Sequence, residues 1–176
     1  MFVLDTARII LRQFTHKDAD PMMAVFGDAE VMRFGRGPQS IEWVRTRIER
    51  QIDNYKQLGF GHWAIELKDS QEVIGFCGLS RFADINGRPE IEVGYRLAKA
   101  YWGQGYATEA ATAVRDLAFE RLNIERLIAL VDPNNHRSIR VAEKLGMTHT
   151  DDVVLPGYSH ADRVYSLTHI PFDTSQ

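Results

Sequence analysis

Residues Tyr101-Trp-Gly-Gln-Gly-Tyr-Ala-Thr-Glu109 set two glycines directly before an apolar helical pattern. A glycine-rich turn that opens a helix leaves several backbone N–H groups unpaired and pointing one way. The helix dipole adds partial positive charge at the same place. The chemistry this spacing offers is therefore phosphate binding. A Walker A loop requires Lys-Ser/Thr after its last glycine, but Gly105 is followed by Tyr106-Ala107. A dinucleotide fingerprint requires G-x-G-x-x-G/A. Gly103-Gln-Gly105-Tyr-Ala-Thr108 supplies two glycines and then a threonine, with Asp132 beyond the next strand as a candidate ribose ligand. Such a fingerprint usually follows the first strand of a parallel unit, whereas this turn follows a meander of three or four strands.

The elements that must position this turn are legible on both sides. Before it, Glu90 to Leu97 alternates, with Ile91, Val93, Tyr95 and Leu97 on one face. After it, a helix from about Gly105 to Arg121 puts Ala107, Ala110, Ala111, Val114, Leu117 and Ala118 on one stripe. Upstream, Arg8 to Gln13 reads as a strand. Thr15 starts a helix running to about Phe26, or to be begun near Asp20 with Pro21 in its first turn. Ser40 caps a long helix that ends before Gly59, striped by Ile41, Val44, Ile48, Ile52, Tyr55 and Leu58. Strands at 62–67 and 73–82 form a hairpin around Lys68 to Glu72. Asn86-Gly87 marks a second tight turn before a strand at 89–98. A strand at 126–131, a helix at 136–145 and two closing strands complete the chain. Antiparallel hairpins followed by a strand-helix-strand unit imply an α+β fold on a mixed sheet.

The segment Trp102-Gly-Gln-Gly105-Tyr-Ala107 resembles the coenzyme A motif Q/R-x-x-G-x-G/A of the GNAT (GCN5-related N-acetyltransferase) superfamily. The opening Trp, and the run Tyr-Trp-Gly-Gln-Gly-Tyr-Ala-Thr-Glu-Ala, are similar to its RimJ/RimL-like branch. The resemblance extends downstream through Asp132-Pro-Asn-Asn135-His-Arg-Ser138 and Val141-Ala-Glu-Lys144-Leu-Gly146-Met147. Upstream it takes in Phe60-Gly-His-Trp63-Ala-Ile65 and Val73-Ile-Gly75-Phe-Cys-Gly-Leu79. It covers most of the chain, from Ala7-Arg-Ile-Ile-Leu-Arg12 to Asp162-Arg-Val-Tyr165-Ser-Leu167.

The resemblance implies a single N-acetyltransferase domain over residues 1–176, with a mostly antiparallel sheet flanked by helices. Its fourth and fifth strands would splay to admit acetyl-CoA as co-substrate. Backbone groups near Tyr95 and Leu97 would hold the pantetheine arm, and the amides of Gln104 to Thr108 the pyrophosphate. Trp102, Gly103, Asn135, Ser138 and Lys144 join the expected cofactor contacts. Glu92, two residues before Gly94, is the candidate base. Its competing role is a solvated carboxylate on the strand face. Glu90 shares that face by the period of two. The family's usual tyrosine acid falls on Ala142, so Ser138 is the candidate acid, competing with a capping role; Tyr165 is a weaker alternative. Glu109 suits the helix N-terminus.

Phe34, Trp63, Glu90 and His160 are candidate acceptor contacts, with packing as the competing role for the aromatics. Loops 29–40, 83–89 and 154–161 would shape the acceptor pocket. The six histidines show no paired spacing, so no metal is expected. Net charge of −3 argues against nucleic acid and anionic membranes as partners. One cysteine, Cys77, excludes an internal disulfide and suits a cytoplasmic setting. The N-terminus carries no recognisable signal segment. The acceptor would be an amine on a protein N-terminus or a small molecule, and the enzyme a monomer or homodimer. A non-catalytic acyl-CoA-binding module and a dinucleotide oxidoreductase are the other classes that fit a phosphate cradle.

Overall fold

The computed structural model describes residues 4–169. One mixed sheet of eight strands runs in the order β1-β2-β3-β4-β5-β6-β8-β7. Its strands are β1 (Leu4–Asp5), β2 (Ile9–Arg12), β3 (His62–Leu67), β4 (Val73–Ile85), β5 (Arg88–Leu97), β6 (Arg126–Val131), β7 (Thr148–Val153) and β8 (Asp162–Thr168). Four helices accompany it: α1 (Met23–Phe26), α2 (Ile41–Gln57), α3 (Tyr106–Glu120) and α4 (His136–Lys144). By contacts the chain divides into two compact units. Among the described residues, one is 4–80 with 93–114, the other 81–92 with 115–169.

In the first unit β2 pairs antiparallel with β1 and β3, and β3 with β4, in the register Ile9↔Leu67 and Trp63↔Cys77. Gly78 is obligatory in this ladder. A Cβ there would lie 2.2 Å from the Gly61 carbonyl oxygen, which cannot retreat. Ser40 caps α2 as expected, accepting a hydrogen bond from the Trp43 N–H at 3.3 Å. Gly59, at φ 76°, takes the left-handed conformation just past its end. The α2 stripe delivers Val44 and Ile48 to a core with Phe14, Met22, Phe26 and Phe76. Each such side chain contributes roughly 1.5–3 kcal/mol of burial.

The helix expected from His16 to Phe26 is instead a 3-10 turn at His16–Asp18 followed by turns and the four-residue α1. Pro21 has no N–H to donate and disfavours a helical conformation at the preceding residue. A buried carboxylate also fixes the early turn. Asp18 accepts from both Arg12 guanidinium nitrogens at 2.8 and 2.9 Å and from the Thr15 N–H at 2.7 Å.

In the second unit Asn86 and Gly87 both have positive φ, 51° and 89°, the geometry of a tight hairpin turn. β4 consequently reaches Ile85, beyond the expected Phe82. β6 pairs antiparallel with β8 from Arg126↔Thr168 to Val131↔Arg163, and β8 with β7. β5 meets β6 in parallel at Glu92↔Ile128. Ile85, Ile128 and Val164 form the buried centre of this unit. Along α3, Ala110, Ala111, Val114, Leu117 and Ala118 are all buried, so the helical stripe read from the sequence holds.

The even alternation expected of β5 does not hold. Its buried residues are Glu90, Val93 and Leu97, at steps of three and four. Glu90 and Glu92 therefore do not share an environment.

Candidate active site

The glycine turn has the geometry that an anion cradle requires. Gly103 and Gly105 sit at φ 76° and 85°, a region that side-chain-bearing residues rarely adopt. A Cβ on Gly103 would meet nothing within 4 Å, so the turn faces open space. The first α3 hydrogen bond runs from the Glu109 N–H to the Gly105 carbonyl at 3.0 Å. The N–H groups of Tyr106, Ala107 and Thr108 precede it, at the positive end of the helix.

Internal contacts hold this turn in place. The Trp102 indole N–H donates to the Leu97 carbonyl at 2.9 Å, and its backbone N–H donates to Lys99. Trp102 also packs against the first unit's core. Both of its N–H groups are engaged within the chain, and through them it braces the turn. The Leu97 carbonyl on β5 thus already carries one hydrogen bond. Gln104 donates from Nε2 to the Ala100 carbonyl at 2.9 Å.

Glu109 and Arg8 form a second brace that the sequence did not disclose. The Glu109 carboxylate accepts from Thr6 Oγ1 at 2.7 Å, from the Arg8 N–H at 2.8 Å and from Arg8 Nε at 2.7 Å. Arg8 also donates to the Gln104 carbonyl at 2.9 Å and lies 4.3 Å from the centre of the Tyr106 ring. Burial pushes the Glu109 carboxyl up. The hydrogen bonds from Thr6 and Arg8 outweigh it and hold the group below the usual glutamate range.

The two β5 glutamates separate. Glu90 is 5% exposed and ion-paired to Arg88 at 2.7 Å and Arg126 at 3.0 Å. This corrects Glu90 as an acceptor contact, because its charge is already neutralised inside the fold. Glu92 is half-buried, one residue before the buried Val93.

At the start of α4, Asn135 is the N-cap. Its side-chain oxygen accepts from the Ser138 N–H at 3.2 Å. Capping therefore falls to Asn135, which leaves the Ser138 hydroxyl out of that role. Lys144 is exposed in the last turn of α4, about 13 Å along the axis from Asn135. A cation there complements the negative end of the helix.

The acceptor candidates scatter. Trp63 is 2% exposed and stacks on Tyr55, which makes it core rather than pocket wall. Phe34 lies in a turn with the Arg33 guanidinium 4.7 Å from its ring centre. His160 lies between two carboxylates, 3.3 Å from Asp132 and 3.5 Å from Asp162. These three residues share no motif, and only the fold brings them together. Cys77 is buried, which pushes its thiol up and leaves it inert.

One further buried polar chain lies in the first unit. Arg47 donates to His62 Nδ1 at 2.8 Å, so the His62 Nε2–H donates to Ser80 Oγ at 2.8 Å. Burial, reinforced by Arg47, Arg96 and Arg50, holds the imidazole far below its usual range and therefore neutral. No helix among the described residues is long and apolar enough to cross a membrane.

A strand-fed glycine turn opening a helix, on a mixed α+β sheet, is an anion cradle of the kind that a phosphate-bearing donor requires. The chain matches the acetyltransferase (GNAT) domain family over residues 8–148 and belongs to that family. YkkB of Bacillus subtilis is 35% identical over 151 residues, covering 85% of this chain and 87% of that protein. The N-acetyltransferase YoaA of the same organism is 34% identical over 146 residues, covering 82% and 81%. Among solved structures, an acetyltransferase from Agrobacterium tumefaciens superposes with TM-score 0.82 at 30% identity, covering 96% of this chain and 95% of that one. RimL, a ribosomal L7/L12 alpha-N-protein acetyltransferase solved with coenzyme A, shares the fold at TM-score 0.77 and 19% identity, covering 95% and 98%. The protein is an acetyltransferase of this family, and acetyl-CoA is its acyl donor.

Proposed function

We infer that this acetyltransferase acetylates a primary amine by direct attack within a ternary complex. The observation that carries the reading is the pair of left-handed glycines feeding the first turn of α3, whose first hydrogen bond runs from the Glu109 N–H to the Gly105 carbonyl. The donor supplies an acetyl thioester that is already activated, so no covalent acyl-enzyme is needed. The N–H groups around Gly103 to Thr108 bind the pyrophosphate, and the Tyr95 backbone aligns the arm. Glu92 takes the ammonium proton, directly or through a water. The amine nitrogen then bonds to the acetyl carbon and the C–S bond breaks. The Ser138 hydroxyl gives its proton to the departing thiolate.

Glu92 is chosen over Glu90 because it is half-buried on β5, whereas Glu90 is 5% exposed between Arg88 and Arg126. Ser138 is favoured as acid because Asn135, and not Ser138, caps α4. The acceptor class is an amine on a peptide N-terminus or a small molecule, and the setting is the cytoplasm. Measuring thiol release from acetyl-CoA across a panel of N-terminal peptides and small amines tests the reading. Amine-dependent release whose pH profile shifts in Glu92→Gln, with donor affinity retained, is the expected result. Thermal stabilisation by acetyl-CoA without turnover on any amine would point to a binding module instead.

A further inference from the structure

We propose that Asp132, His160 and Asp162 form a binding site for one divalent transition cation of the zinc type. The three residues come from different places in the second unit. Asp132 directly follows β6, His160 ends the segment before β8, and Asp162 opens β8. One ligand atom from each lies within 4.8 Å of the others.

The distances favour a shared ion over a simple ion pair. His160 Nε2 is 3.3 Å from Asp132 Oδ2 and 3.5 Å from Asp162 Oδ1. A charge-assisted hydrogen bond runs to about 2.7–2.9 Å. The His149–Asp152 pair of the same unit achieves this, at 2.9 Å. Ligands about 2.0–2.1 Å from a tetrahedral zinc stand roughly 3.3–3.4 Å apart. The His160 contacts match that spacing.

A second observation concerns Asp162 Oδ1, the atom that stands 3.5 Å from His160 Nε2. Asp162 Oδ1 is buried and has no hydrogen-bond partner, an arrangement that proteins rarely leave uncompensated. Its side chain is 15% exposed. A cation between the two aspartates supplies the partner this oxygen lacks.

The outer contacts are also those of a ligand set. Asp132 Oδ1 accepts from the Asn134 N–H at 2.8 Å and from Asn134 Nδ2 at 3.1 Å. These fix the carboxylate and direct Oδ2 at His160, as second contacts do around metal ligands. Two carboxylates and a neutral imidazole carry charge −2, matched to one divalent ion. His160 is 43% exposed, so a fourth position is open to water. An ion here pins the segment between β7 and β8 to the end of β6.

The test uses the full chain stripped of metal with a chelator, titrated with zinc and separately with cobalt. The expected result is one ion per chain and a rise in unfolding midpoint of about 5 °C at a hundredfold excess over Kd. Cobalt should give the intense visible absorption of a four-coordinate site. His160→Ala and Asp162→Asn should each weaken binding at least tenfold. If Asp162→Asn does not fold, His160→Gln on the exposed segment decides alone. Absence of zinc binding by the stripped chain, or binding unchanged in the His160 variants, overturns the proposal. Neither result depends on acetyl transfer, so failure here leaves the enzymatic reading intact.

Discussion

Arg8 and Glu109 are 101 residues apart in sequence and 2.7 Å apart in space, joined by a paired guanidinium–carboxylate contact. The contact ties the N-terminal strand region to the first turn of α3, where the phosphate cradle lies. Arg8→Ala should raise the KM for acetyl-CoA severalfold with a smaller change in kcat, because it loosens the cradle without touching the reacting atoms. The stability cost should be modest, about 1 kcal/mol, since the Arg8 side chain is 46% exposed and its charge is screened. Steady-state kinetics with varied acetyl-CoA check it; an unchanged KM would reduce the pair to a surface contact.

Gly105→Val should abolish acetyl-CoA binding while the fold persists. A β-branched residue at φ 85° is strained, and its side chain would crowd Arg8, whose guanidinium lies 3.4 Å from the Cβ position. Calorimetric titration reads the loss. Gly78→Ala makes a contrasting pair. Its Cβ would collide with β3 backbone, so it should prevent stable folding rather than affect a ligand.

Glu90→Gln and Glu92→Gln should fail in different ways. The first removes the charge between Arg88 and Arg126 and should cost about 1–3 kcal/mol of stability, leaving the pH dependence of the rate unaltered. The second should alter that pH dependence and leave stability close to wild type. Parallel denaturation curves and pH–rate profiles distinguish them. Swapped outcomes would transfer the base role to Glu90.

Ser138→Ala should slow turnover more than it weakens acetyl-CoA binding, since the α4 cap belongs to Asn135. Asn135→Ala should instead lower stability by about 1 kcal/mol through loss of that cap. Comparing kcat, Kd and unfolding midpoint for the two variants checks the division of roles.

His62 makes stability depend on pH. The folded imidazole is held neutral by burial and by Arg47, and contacts Ser80 and Phe76. The unfolded chain protonates it near its ordinary pKa of about 6.5. The unfolded state therefore binds the extra proton, and stability falls as pH drops below about 6.5. Glu109 and Asp18 act lower down: their folded values are depressed, so their contribution is present above about pH 4 and lost below it. The unfolding midpoint should decline from pH 7.5 to 5.5, and the decline should shrink in His62→Gln. A flat profile for the unmodified chain would contradict this.

What the sequence disclosed and what it hid follow from the range of each signal. The α2 cap at Ser40, the Asn86-Gly87 turn and the α3 stripe are local, set by residues within a few positions. They were legible. The equivalence of Glu90 and Glu92 failed because a period of two assumes a regular strand, and β5 buries residues at steps of three and four. The long first helix failed at Pro21 and at the Asp18–Arg12 pair, a contact no helical pattern encodes. Arg8 at the cradle and the Asp132–His160–Asp162 cluster were hidden for the same reason: through-space neighbours leave no periodic trace.

The most direct measurement is the amide NMR spectrum of the labelled chain as coenzyme A is added. Main-chain binding by the α3 cradle requires the N–H signals of Gly103, Gly105 and Ala107 to move first and furthest, saturating together. Signals of those three residues that stay still while the ligand binds elsewhere would contradict the account.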